Sequence, residues 1–177
     1  MKKPITFKDV AHHYWGCTIL TNADAGNSFT LDTATINLVR NEANLPNHPY
    51  KPVLRRINDI CLEEAAMVMQ MVHHEGVEYS ILNYKISHNE AGTPIITINN
   101  DWYKETLCFG NLTGAIWNTN ESAHFRAKVG ADVFHFLYGQ FFDMHGLIDS
   151  NQAYNMRDYP QLYEQHYYQN IDKLKTW

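Results

Sequence analysis

"SAHFRAKVGADVFHFLYGQFFDMHG", residues 122–146, is the stretch on which the fold turns. Phe134, Leu137, Phe141 and Met144 recur at three- and four-residue intervals, the spacing of one helical face. Asn120 or Ser122 can cap the start, and Gly146 supplies a stop. The pattern predicts one long helix from Ser122 to His145. Phe142 lies off the main stripe and would reach a second layer, so the helix is expected to be covered by more than a sheet.

On such a helix His124, His135 and His145 share a face, which resembles a metal stripe until the rise is counted. At ~1.5 Å per residue, His124 and His135 would stand about 16 Å apart and His145 about 15 Å further on. A single zinc ion with bonds near ~2 Å cannot span that. Two local couples remain as candidate acid–base pairs, His135 with Asp132 and His145 with Asp143. His135, Asp143 and His145 are therefore weak catalytic candidates, set against the plainer reading of polar positions beside a core helix.

Working outward, "YWGCTILT" (14–21) and "SFTLDTATINLV" (28–39) are rich in β-branched and aromatic residues, with the turn chemistry "NADAGN" between them. A hairpin is expected there. "NEANLPNHPYKP" (41–52) reads as a connecting loop. "CLEEAAMVMQMVHHEG" reads as a helix capped by Asn58 or Asp59 and stopped by Gly76, with Leu62, Ala65, Ala66, Met69 and Val72 or His73 inward. "EYSILNYKISH" and "TPIITIN" are strands around the turn "NEAG", with an irregularity near residues 79–84. Residues 103–117 are either a strand pair or a strand and loop. "YPQLYEQHYYQNIDKL" is a shorter final helix opened by Pro160. The order ββαββ(β)αα defines an α+β fold, a mostly antiparallel sheet packed against a long C-terminal helix with a shorter final helix. Residues 1–150 are expected to form one domain, and 151–177 a tyrosine-rich helical extension packed on that domain or on a partner.

Composition narrows the function. Apolar residues make up 45% and charged residues 19% of the 177-residue chain, a balance that favours a packed core over disorder. The formal charge of −5 disfavours binding to a phosphate backbone, which needs clustered Lys and Arg. Cys17, Cys61 and Cys108 form no CxxC pair and read as reduced, buried thiols. "MKKPITFKDVAHHYWG" has no apolar run after its lysines, and no stretch has the length of a spanning helix. A cytoplasmic protein without membrane contact is expected. Nucleotide-cradling glycine loops, a GxSxG elbow and a zincin motif are all missing from the sequence.

Two histidine doublets remain, "AHHYWG" (11–16) and "VHHEG" (72–76). Adjacent histidines diverge on either a strand or a helix, so a doublet is not a chelate by itself. His13, His73 and His74 are weak metal candidates only if the fold brings them together; no cofactor is expected. Tyr159, Tyr163 and Tyr167 rise along one face of the final helix. They form either a ring layer laid on the domain or a contact surface for a partner or ligand.

Three segments, "HYWGCTILT", "YKPVLRRINDI" and "FFDMHGLIDSNQAYN", together resemble a group of short uncharacterised proteins from Bacteroidetes phages and prophage-like regions. Tyr14, Gly16 and Cys17 match that group's aromatic-x-Gly-Cys opening. Lys51, Pro52, Leu54, Arg55 and Asp59 match its Lys-Pro-x-Leu-Arg loop, with Arg56 where the group has proline. Phe142, Asp143, Gly146, Leu147 and Ile148 match its last motif. The resemblance implies a phage or mobile-element origin and a host-cytoplasmic location, and it brings no catalytic residues. The expected role is a non-enzymatic accessory protein that binds a host protein, itself or a small ligand. The alternative is a small hydrolase or metal-assisted enzyme using dispersed His and acidic residues.

Overall fold

The computed structural model describes residues 5–21, 24–42, 50–72, 84–90, 94–99, 104–109, 116–120, 125–128 and 131–171. In chain order the elements are α1 (Phe7–Val10), a 3₁₀ turn (Ala11–His13), β1 (Thr18–Thr21), β2 (Asp24–Thr30), α2 (Ile36–Glu42) and β3 (Tyr50–Leu54). A 3₁₀ turn (Ile57–Asp59), α3 (Leu62–Val72), β4 (Tyr84–His88), β5 (Pro94–Asn99) and β6 (Lys104–Phe109) follow. Then come β7 (Ile116–Asn120), β8 (Phe125–Lys128), α4 (Ala131–Gly139), β9 (Tyr154–Asn155), α5 (Pro160–His166) and a π turn (Tyr167–Ile171).

The chain forms two compact units, Met1–Arg56 with Leu137–Glu164, and Ile57–Phe136 with Gln165–Trp177. The first carries a four-stranded sheet in the order β2-β1-β3-β9. It is mixed, because β3 and β9 run parallel through Val53↔Tyr154 and Leu54↔Asn155. The second carries the antiparallel meander β4-β5-β6-β7-β8, with α3 adjoining β4. The α+β class stands, and among the described residues every strand pair except β3–β9 is antiparallel.

The expected long helix is not formed. Residues 125–128 are a strand instead, paired with β7 from Trp117↔Lys128 to Asn120↔Phe125. Helix α4 spans nine residues and ends well before His145. Its end is a Schellman motif: Phe142 N–H donates to Leu137 C=O at 3.0 Å, and Phe141 N–H to Tyr138 C=O at 2.9 Å. Phe141 takes the left-handed position that glycine usually fills, at φ 61°. The apolar partners that seal such an end, Leu137 and Phe142, are both fully buried. Beyond it the backbone runs extended past Arg55, whose N–H donates to Phe141 C=O and whose C=O accepts from Asp143 N–H, each at 2.8 Å. Helical periodicity thus spans a helix, its reversal and an extended segment.

Other boundaries also move. The hairpin is present as β1–β2, but "TINLV" continues into α2 instead of extending the strand. Asp32 and Thr35 make the difference through a reciprocal cap: Thr35 N–H donates to Asp32 Oδ1 and Asp32 N–H donates to Thr35 Oγ1, both at 2.8 Å. The loop expected over 41–52 yields its last three residues to β3, where Pro52 pairs with Ile19. Helix α3 starts at Leu62, which puts Cys61, whose C=O accepts Ala65 N–H at 2.9 Å, at the cap position in place of Asn58 or Asp59. Glu64 instead reaches back to accept Cys61 N–H at 3.0 Å. Leu62, expected inward, is exposed, while Ala65, Ala66 and Val68 are buried. The expected Gly76 stop and the irregularity before Tyr84 lie outside the described residues.

Two buried clusters hold the first unit. One gathers Phe7, Val10, Tyr14, Cys17, Ile19, Leu31, Val39, Leu54 and Leu147. The other centres on Leu20, Val53 and Met156, with Tyr159, Leu162 and Tyr163 packed against it.

Candidate functional site

The motif residues at 14–17, 51–55 and 142–148 all lie in the first unit. Tyr14, Cys17, Leu54, Phe142 and Leu147 are fully buried. Cys17 N–H donates to Tyr14 C=O at 3.1 Å, closing a turn whose third residue, Gly16, has φ 84°, a value suited to glycine in a type II turn. Lys51 Nζ donates to Asn151 Oδ1 at 2.8 Å and lies 5.3 Å from the centre of the Tyr154 ring. Arg55 lays its guanidinium over the Phe142 ring, 4.3 Å from the centroid. The ion pair that "RR" makes at the surface belongs to Arg56, which reaches Asp149 at 2.7 Å.

Asp143 serves the backbone. Its Oδ1 accepts from His145 N–H (3.2 Å) and Leu147 N–H (2.9 Å), and its Oδ2 from Ile148 N–H (2.8 Å). Those bonds cap a single turn over residues 147–150. Its far end is closed by Gln152 N–H to Leu147 C=O at 2.7 Å, with Asn151 left-handed at φ 58°. Among the described residues no bond runs from Asp143 to an imidazole, so the expected Asp143–His145 couple is joined through main chain.

His145 instead meets aromatic partners. Its Nε2 and Tyr138 Oη share a hydrogen bond of 3.0 Å, with the two rings stacked at 5.6 Å. His13 stacks on Tyr138 at 4.6 Å and lies 6.0 Å from the His145 ring, and His12 lies 3.9 Å from His13. Tyr14 abuts both Tyr138 and His145 edge-on, at 5.3 and 6.2 Å. Burial, and then the neighbouring His13, hold the His145 imidazole below the usual histidine range, against the opposite pull of Asp143. Burial also raises the Tyr138 and Tyr14 phenols, Tyr14 with further help from the Asp143 charge. The cluster is a set of packed rings tying residues 12–14, 138 and 145 together.

His135 is exposed on the part of α4 that belongs to the second unit. His73 and His74 lie outside the described residues, so their convergence with His13 is not described. Among the described residues, no group of three or more His, Cys, Asp or Glu is arranged to hold a metal ion. Tyr159 and Tyr163 are half-buried on the Leu20–Val53–Met156 cluster, with Tyr159 edge-on to Tyr154 at 5.8 Å. Tyr167 sits in the π turn against Tyr168, at 5.9 Å.

Sequence reasoning missed Tyr138 and Trp15. Tyr138 lies seven residues before His145, on the last turn of α4, and no local pattern pairs them. Trp15 is 44% exposed beside Gly16, on a turn pinned by Gly16 N–H to Leu31 C=O at 2.8 Å. No protein-family model, curated protein or solved structure matches the chain. Among the described residues, no helix is long and apolar enough to cross a membrane.

Proposed function

We propose that this chain is a non-enzymatic accessory protein of a phage or mobile element, acting in the host cytoplasm by binding a host protein, a second copy of itself or a small ligand. The observation that carries the non-enzymatic part is the use already made of the candidate catalytic atoms. Both Asp143 oxygens accept backbone N–H groups, and His145 Nε2 is bonded to Tyr138. These bonds hold Asp143 to the turn it caps and His145 to Tyr138, placements that serve the fold. The binding part rests on Trp15, an exposed aromatic on a hydrogen-bonded turn, because a rigid tryptophan is the kind of residue that anchors interfaces. The half-buried Tyr159, Tyr163 and Tyr167 are secondary contact candidates. The phage origin rests on the motif resemblance alone.

The test compares wild type with His145→Gln, Asp143→Asn, His135→Ala and Trp15→Ala. Metal content, hydrolysis of generic ester and phosphoester substrates, and sedimentation over a range of concentrations are measured. Trp15→Ala is expected to move stability by no more than about 0.5 kcal/mol, the usual surface value, while weakening association. A stoichiometric metal, or turnover, that the His or Asp variants abolish would overturn the reading in favour of the metal-assisted or hydrolytic alternative.

A further inference from the structure

We propose that the stack of His12, His13, Tyr138 and His145 is an acid-operated latch, which holds the N-terminal segment against the 143–150 turn at neutral pH and loosens as its histidines take up protons. The latch closes one unit on itself, so the inference stands apart from what the protein binds.

Three imidazoles crowd two phenols here. His13 is 3.9 Å from His12, 4.6 Å from Tyr138 and 6.0 Å from His145, ring centre to ring centre. Uncharged, the rings attract through offset and edge contacts. Charged, His13 and His145 face each other in a half-buried place where water screens them less than at the open surface. The titratable groups around His145 are His12, His13 and Tyr14 from the N-terminal segment, Tyr138 from α4 and Asp143 from its own loop. Among the described residues Asp143 is the one anion in that set, and its oxygens are turned to the N–H groups of residues 145, 147 and 148.

What the latch holds is also defined. Tyr14 Oη accepts Met144 N–H at 3.3 Å, so the segment carrying His12 and His13 is bonded to the loop carrying His145. The direction of the response follows from linkage. Because the folded cluster holds the His145 imidazole below its ordinary 6.5, the loosened form binds protons more readily. The closed form is fully favoured above that value and loses ground as the pH falls through it.

The experiment measures amide-exchange protection at Met144, Leu147 and Ile148, corrected for intrinsic rates, between about pH 7.5 and pH 5.5, the range in which histidine titrates. Wild type should lose about five- to tenfold protection on acidification, a change of the size that one displaced histidine supports. His145→Gln, which cannot titrate, should show a flat profile, and His13→Phe, which keeps a ring in the stack, a shallower one. Wild-type protection that does not fall, or an equal fall in both variants, overturns the proposal. So does a loss confined to the carboxylate range below about pH 4.5. An NMR titration of the wild-type His145 ring decides the matter even if a variant fails to fold: a midpoint at or above the ordinary histidine value overturns it, and one below supports it.

Discussion

The Tyr14 hydroxyl accepts the backbone N–H of Met144 at 3.3 Å, joining residues 130 apart in sequence within a buried site. Tyr14→Phe keeps the ring and its packing but leaves that N–H without its acceptor. The expected cost is about 1 to 3 kcal/mol, the penalty of a buried unsatisfied donor. Urea unfolding of the pair measures it, and an unchanged midpoint would show that water replaces the hydroxyl there.

Phe141 and Phe142 are adjacent aromatics in opposite situations. Phe142 is fully buried, so Phe142→Ala should cost about 3 to 5 kcal/mol. Phe141 is half-buried and left-handed, at φ 61°. Phe141→Ala should therefore cost less than Phe142→Ala. Phe141→Gly should be milder again by about 1 kcal/mol, since glycine tolerates that backbone and alanine does not. Finding the glycine variant less stable than the alanine variant would contradict the Schellman assignment.

Stability should respond to acid through Asp32. The Thr35 backbone N–H, then the Thr35 hydroxyl, hold its carboxyl below the ordinary 3.8, with Ala34 N–H adding to the effect. A carboxylate lowered by folding stabilises the fold above its unfolded value and loses that contribution as the pH falls through the folded one. Asp32→Asn should accordingly flatten the dependence of the unfolding midpoint on pH below about 4. Parallel curves for the two proteins would rule the cap out as a titrating element.

Thiol chemistry should be slow in the native protein. Burial drives the Cys17 thiol far up and pushes Cys61 up to about 12, so neither is a thiolate at pH 8. Among the described residues both are free thiols. Alkylation followed by mass spectrometry should find Cys17 and Cys61 unmodified under native conditions. In denaturant without reductant all three cysteines should react. Rapid native labelling of either Cys17 or Cys61 would show that its cover opens.

The sequence by itself determined the α+β class, because period-two patterning and turn residues already encode the β1–β2 hairpin and the β4–β5 pair. It also marked the residues that build the first unit. Of these, Gly16 has a role that local geometry expresses, the left-handed position of its turn, while Tyr14, Leu54, Phe142 and Leu147 are buried by segments remote in sequence.

Only tertiary structure decided the fate of residues 122–146. Their apolar spacing suits a helix, but pairing of Phe125–Lys128 with β7 takes one end. At the other, the Arg55 backbone bonds to Phe141 and Asp143 draw the chain out of the helix. Periodicity records which residues are apolar, and it is blind to bonds offered by a strand remote in sequence. The same holds for the site. Side chains of His13, Tyr138 and His145 meet because the N-terminal turn packs over the end of α4, a contact between segments more than a hundred residues apart that no local pattern can register.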